Sequence, residues 1–302
     1  MLHSYKNGNY KVFIDDKTGT KIRYNNEDAL IPDRPESMDV KITNKCNHGC
    51  LFCHENSVLY GRKALNSNLR NFANKVLPLT EIAVGGGNLM LDFKHTKYFL
   101  KLLKDAQCFP SITIKQEDFV EYSDIIEDWY INKLIYGIGV SLSNPLDLEF
   151  QELLGRMPTT VIHVIAGLFN EEQFNELKNK HFKILILGYK KFRRGNLYYT
   201  VYEKSIEENI EWLNNNIESI KNSFDVVAFD NLALEQLDIK SQISDEEWNQ
   251  FYMGDDGNYT FYVDLVNNVF AKNSTSIKRH SIGNKTIVEM FDTIRKEKDD
   301  TN

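Results

Sequence analysis

Three of the four cysteines in this 302-residue chain, Cys46, Cys50 and Cys53, stand in one short stretch, Lys45-Cys-Asn-His-Gly-Cys-Leu-Phe-Cys-His-Glu55, and the fourth, Cys108, is remote from it. Thiols concentrated this way, with no even set left over for a disulfide framework, point to a metal site. Iron-sulfur clusters take thiolate ligands. Three thiolates on one loop can hold three irons of a cubane and leave the fourth iron open to an outside ligand. An open iron is a place for chemistry.

Other uses of the same residues compete. Cys50 to His54 spells C-x-x-C-H, the covalent haem-attachment string, but that chemistry belongs to exported proteins, and Met-Leu-His-Ser-Tyr-Lys at the start has no apolar h-region. A structural zinc ion can take the three cysteines with His48 or His54, although closed zinc sites usually draw on two separated pairs. Thiols at i, i+4 and i+7 would share one face of a helix, yet Asn47-His48-Gly49 reads as a loop.

The spacing C-x3-C-x2-C, with Phe52 directly before the last cysteine, resembles the signature loop of the radical S-adenosylmethionine (radical SAM) superfamily; no subfamily is indicated. The resemblance implies a 4Fe-4S cluster on Cys46, Cys50 and Cys53. It further implies that the open iron chelates the amino and carboxylate groups of S-adenosyl-L-methionine, which is cleaved to a 5′-deoxyadenosyl radical that abstracts hydrogen from a second substrate. Phe52 would then lie against the adenine, its alternative being ordinary burial.

Ala83-Val-Gly85-Gly86-Gly87-Asn88 falls where that family carries Gly-Gly-Glu-Pro to bind the cofactor's amino group. Gly87 and Asn88 replace the Glu and Pro, so binding would rest on backbone carbonyls of Gly85 to Gly87 and on Asn88. Glycines allow such close backbone approach, and taken alone they are a tight turn; no G-x-G-x-x-G follows. Ser141, at the end of another strand, has a hydroxyl suited to the cofactor's ribose or carboxylate, or belongs to an ordinary turn. Val161 to Asn170 resembles the weaker family segment G-x-I-x-G-x-x-E, which would set Ile165 and Gly167 beside adenine, with Asn170 in place of the glutamate. His163 reads as an ordinary strand histidine.

Gly188-Tyr-Lys-Lys-Phe-Arg-Arg-Gly195 interleaves four cations with two aromatics. Lys190, Lys191, Arg193 and Arg194 can grip a phosphate or carboxylate on the substrate, or simply face water. Asp230, at a strand end, is a candidate substrate-binding carboxylate. Cys108 reads as a buried hydrophobe near a helix end.

The elements that must position these residues alternate. Met38 to Thr43, Glu81 to Val84, Ser111 to Ile114, Leu134 to Val140, Thr160 to Ile165, His181 to Leu187 and Phe224 to Phe229 read as strands. Leu91 to Ala106, Phe119 to Asn132, Glu171 to Lys180 and Glu203 to Lys221 read as helices, with apolar residues at three-to-four spacing. Such alternation predicts an α/β chain with a parallel sheet and right-handed crossovers, and the family resemblance implies an open partial TIM-type (β/α)6 barrel over 36–235. An N-terminal β-hairpin, Tyr10 to Ile14 and Lys21 to Tyr24, occupies 1–35 and ends at Ile31-Pro-Asp-Arg-Pro35. A C-terminal extension, 236–302, carries a second hairpin, Asn258 to Leu265 with Val269 to Asn273, then a helix near Thr286 to Arg295 and a charged tail. No further cysteine cluster is present, so the auxiliary-cluster domain of many peptide-modifying family members is not expected.

A hydrophobic content of 42% and a charged content of 26% describe an ordinary globular chain, and no apolar run approaches the length of a membrane span. The net charge of −7 disfavours nonspecific binding to a phosphate backbone. Free cysteines without a leader predict a reducing cytoplasm, and family precedent predicts oxygen sensitivity. The expected partners are a small-molecule or peptide substrate and an electron donor such as flavodoxin or ferredoxin. Two alternatives stay open: a glycyl-radical activating enzyme acting on a partner protein, and a noncatalytic binding module built on a metal-stabilised loop.

Overall fold

The computed structural model describes residues 1–26 and 29–297. Strands β1 (Leu2–Asn7), β2 (Tyr10–Asp15) and β3 (Lys21–Tyr24) form an antiparallel sheet. The alternating run then gives β4 (Ser37–Thr43), β5 (Glu81–Gly86), β6 (Phe109–Lys115), β7 (Gly137–Ser141), β8 (Thr160–Ile165), β9 (Lys183–Leu187) and β10 (Val226–Phe229). Each pairs in parallel with the next. β11 (Thr260–Asp264) joins parallel to β4 on its other side, and β12 (Val269–Ala271) and β13 (His280–Ser281) continue antiparallel. The sheet runs from β10 through β4 to β13, without hydrogen bonds that close it.

This is the open α/β partial barrel expected, with more parallel strands than six units supply. The C-terminal hairpin is not free-standing, because β11 is bonded to β4 along its length. The charged tail runs from residue 298 outside the described residues.

Strand alternation explains the layering. Met38, Val40, Ile42, Ile82, Val84, Ile112, Val140, Ile162 and Ile184 point outward into one continuous core beneath the helices. On β4 to β7 the alternate positions point inward and are small or polar, among them Asp39, Ala83, Ser111, Thr113, Gly139 and Ser141. Closed barrels fill that space with bulky branched side chains; here such side chains, Val161, Ile165, Leu185 and Leu187, stand only on the β8 and β9 part of the inward face among β4 to β9, and a lumen remains beside β4 to β7.

Two helical stretches differ from the periodicity. The 119–132 stretch breaks at Tyr122 into Gln116–Glu121 and Ser123–Ile131. The 203–221 stretch starts nine residues earlier, as Arg194–Asn215 and Ile217–Ser223. Its first turns expose Leu197, Val201 and Tyr202, so no apolar stripe marks them. The first strand, β1, also lacks a pattern because it is an edge strand whose side chains from Leu2 to Lys6 alternate between exposed and half-buried, with only polar Asn7 buried. The antiparallel sheet buries Tyr10, Val12 and Ile14 against Leu79, Phe109, Tyr136 and Tyr259, residues just before or at the starts of β5, β6, β7 and β11, and so covers the N-terminal end of the barrel. Glu36, fully buried, ties it down through Arg23 at 2.9 Å and Lys21 at 3.4 Å.

Candidate metal and cofactor site

β4 runs directly into the cysteine loop, at the C-terminal end of the strands where barrel active sites collect. The loop's ends are tied: the Cys46 N–H donates to the Val58 carbonyl at 2.9 Å, Val58 returns the bond to Asn44 at 3.0 Å, and Asn44 donates to Arg62 at 2.7 Å. Gly49 takes φ +64° between the first two cysteines, a left-handed turn that suits glycine. All three loop thiols are free and partly accessible, whereas Cys108 is buried. Burial raises the Cys46 thiol above its ordinary value, and the nearby Cys50 and Cys53 thiols raise it further. Three thiols therefore share one neighbourhood. Among the described residues no three of His, Cys, Asp and Glu are grouped as ligands of one metal ion.

The glycine segment is pressed against this loop, protein on protein. Gly87 N–H donates to the Thr43 carbonyl at 2.7 Å and Asn88 N–H to the Lys45 carbonyl at 2.8 Å. A Cβ on Gly86 would come 2.3 Å from Thr43 O, and one on Gly87 would come 2.3 Å from Lys45 O. The close approach that requires these two glycines is thus to the entry of the cysteine loop itself. Gly85 differs, since a Cβ there meets nothing within 4 Å; it faces open lumen.

Asn88 is a clasp. Its amide nitrogen reaches Asn47 Oδ1 at 2.8 Å, His48 Nε2 at 3.1 Å and Asp118 Oδ1 at 3.0 Å, while its carbonyl accepts the Met90 and Leu91 N–H groups. His48 lies 2.6 Å from Asp118 Oδ2. This buried hub holds the stretch between Cys46 and Cys50, and it engages the histidine considered as a zinc ligand. His54, the other one, is kept neutral at a pKa of about 3 by burial and then by the Lys190 charge.

A second hub holds the far end. Lys41, buried on β4, contacts Glu55 Oε2 at 2.6 Å and Asp264 Oδ2 at 3.4 Å, and Tyr262 donates to Glu55 Oε1 at 2.9 Å. Arg193 donates to the Glu55 carbonyl at 2.9 Å and Arg194 to the Ser57 carbonyl at 2.8 Å. Each arginine of the basic loop thus gives a donor to a carbonyl of the cysteine loop, while Arg194 Nε is buried without a partner. Lys191 faces Glu207 and the Tyr199 ring. Lys190 turns toward the barrel, with Ser274 Oγ at 3.3 Å. Nothing in the local pattern around Cys53 marks Glu55, but the charged residues alternating with aliphatics in β4, Asp39-Val-Lys41-Ile, do signal a polar inward face.

The remaining candidates separate. Phe52 is half-buried and packs edge-on against Tyr198, ring centroids 6.0 Å apart. Ser141 and Ile165 close the inward face at the ends of β7 and β8. Gly167 faces the other way, where a Cβ would meet Ile206 at 2.5 Å and its carbonyl accepts from Asn209; it serves helix packing. Asn170 caps helix Glu171–Leu177 in a capping box with Gln173. Asp230 caps Asn231–Gln236 and also accepts the Gly188 N–H at 2.8 Å. His163 is not the satisfied strand histidine expected, since its Nδ1 is buried without a partner. Cys108 is a core residue whose thiol burial pushes up to about 12.

The donor set and the open space beside Gly85 fit a thiolate-held cluster with a small molecule beside it. No protein-family profile matches the sequence, and no curated protein is similar to it. In fold the chain is similar to SuiB from Streptococcus suis bound to S-adenosylmethionine, with a TM-score of 0.61, 10% identity, and coverage of 96% of this chain and 86% of that one. It is also similar to anSMEcpe with bound AdoMet and the Cp18Cys peptide, with a TM-score of 0.51, 14% identity, and coverage of 84% and 79%. These are radical SAM enzymes, so the fold implied by the cysteine loop is the fold found.

Proposed function

We propose that the chain is a radical SAM enzyme. The observation that carries this reading is the placement of Cys46, Cys50 and Cys53 on one accessible loop at the C-terminal end of β4, in a fold shared with a protein solved with S-adenosylmethionine bound. Cys46, Cys50 and Cys53 would hold a 4Fe-4S cluster, with S-adenosylmethionine beside Gly85. Bound together, these groups supply a carbon-centred radical that removes hydrogen from a substrate; an electron donor such as flavodoxin or ferredoxin would feed the site.

The protein's share is positioning and shielding. The Asn88–His48–Asp118 hub and the Lys41–Glu55–Tyr262 hub fix the loop at both ends, the glycine segment sets it against β5, and the lumen below receives the substrate. A neighbour of this fold that carries a peptide supports an amino-acid or peptide substrate.

Anaerobic reconstitution with iron and sulfide tests the reading. The expected result is about four irons per chain, a visible absorption band, and deoxyadenosine formed from S-adenosylmethionine on reduction. Cys46→Ala, Cys50→Ala and Cys53→Ala are each expected to lose both iron and cleavage, while Cys108→Ala keeps them. Zinc in place of iron, or wild-type cleavage in any of the three ligand variants, overturns the assignment and leaves the metal-stabilised binding module.

A further inference from the structure

The inward sheet face carries polar groups that the rest of the protein leaves alone, and they surround a low floor. Tyr262, Asp39, Ala83 and Ser111 stand directly opposite one another on β11, β4, β5 and β6, and Gly85 lies one step on, opposite Lys41. Charged neighbours on the same face are already engaged: Lys41 with Glu55 and Asp264, Glu81 with Lys21, Lys115 with Glu117. Among the described residues the Asp39 carboxylate and the Ser111 and Thr113 hydroxyls have no hydrogen bond or ion pair. The floor between them is an alanine and a glycine with open space above it. Across the lumen the His163 ring lies over Gly139 with its Nδ1 buried and unpartnered.

The charge of the occupant follows from what is free. Of the cations around the lumen, Arg193 and Arg194 each bond a cysteine-loop carbonyl, and Lys190, which acts on the Asp39 carboxyl, is held by Ser274 Oγ. The other lumen carboxylates are bonded within the protein, Asp256 to Asn231 and Asn273, Asp230 to the Gly188 and Ala233 N–H groups. Among the described residues Asp39 is the lumen carboxylate with neither a hydrogen bond nor an ion pair, and buried Tyr262, whose ring already carries the Arg279 guanidinium, stands beside it.

We propose that Asp39 is the substrate-recognition residue of the lumen and seats a protonated amine or guanidinium, with Ser111 on the far side of the Ala83–Gly85 floor. Strands two places apart lie about 10 Å from each other, so a cationic group on a chain of a few methylenes, as in a lysine or arginine side chain, spans the seat. The carboxyl, open to the lumen, is pushed up to about 6, first by the loss of water from the protein packed around it, with Lys190 opposing the rise and Asp256 and Asp230 adding to it; a bound cation relieves that cost. The inference rests on the lumen being the substrate side of the site proposed above.

The test uses the full chain, without metal and after reconstitution, with n-butylammonium as probe and butyrate as the opposite-charge control, followed by saturation-transfer NMR at constant ionic strength. Butylammonium is expected to bind and butyrate not. Asp39→Asn is expected to weaken the cation at least about tenfold, the loss of one charge-assisted contact. Ala83→Leu, which fills the floor and keeps the charge, is expected to abolish binding and guards against a folding defect in the first variant. Equal binding of butyrate, no binding of butylammonium, or unchanged affinity in Asp39→Asn overturns the proposal. Iron and deoxyadenosine measured on the same preparations separate the two readings: a loaded, cleaving protein that ignores butylammonium removes only the seat, and an iron-free protein that binds it through Asp39 removes only the radical SAM assignment.

Discussion

Glu55→Ala tests whether the cysteine loop is held by its buried ionic hub. Glu55 and Lys41 are nearly enclosed and 2.6 Å apart, with Tyr262 donating to the second carboxylate oxygen at 2.9 Å. Removing one partner of a buried pair costs about 3–5 kcal/mol because the other charge is stranded. Asp264 stays 3.4 Å from Lys41, which holds the cost near the lower end, about 3 kcal/mol. The Tyr262 hydroxyl, left without its acceptor, adds about 1 kcal/mol. Urea unfolding of the metal-free protein measures the sum, and the charge-balanced pair Glu55→Gln with Lys41→Met is expected to recover most of it. The same protein treated with iodoacetamide reports on the loop: Cys46, Cys50 and Cys53 are expected to label severalfold faster in Glu55→Ala, with buried Cys108 as the inert internal reference. A loss below about 1 kcal/mol together with unchanged labelling would refute the hub as the loop's anchor, since surface pairs are worth up to about that.

Replacing Arg193 and Arg194 together with Gln removes donors from the Glu55 and Ser57 carbonyls; faster alkylation of the loop thiols is expected, and labelling at the wild-type rate would return these arginines to the solvent. Gly86→Ala and Gly87→Ala are expected to destabilise by about 1–3 kcal/mol through backbone collision, whereas Gly85→Ala folds with wild-type stability and narrows only the lumen; melting curves of the three, with S-adenosylmethionine affinity of the reconstituted protein, distinguish the roles. Asp39→Asn removes a carboxyl whose folded value is raised to about 6. A raised carboxyl costs stability as pH rises from its unfolded value near 4 through 6. The variant is therefore expected to be more stable than wild type above pH 6 and equal to it below pH 4, by under about 1 kcal/mol because solvent reaches the group. A gain that is the same at every pH would show that the charge is not its source.

By itself the sequence determined the layers and set three thiols on one loop. Outward aliphatics at every second strand position and helical stripes between them encode burial locally, so β4 to β10 are legible within a few residues, and the cysteine group is legible because residues on one loop need no partner from elsewhere. Tertiary structure decided what each polar residue is for. Asn88 and Gly86 to Gly87, read in the sequence as ligand-binding residues, hold the cysteine loop. Arg193 and Arg194 look like an anion grip and bond loop carbonyls more than a hundred residues away. Glu55, Lys41 and Tyr262 become one hub only when β11 docks beside β4. A side chain's hydrophobicity acts on its own neighbours, so its pattern survives in one dimension. A hydrogen bond or an ion pair exists only once two distant segments are brought within about 3 Å, and which Asp or Arg is left free for a ligand is known only after all the others have found their partners.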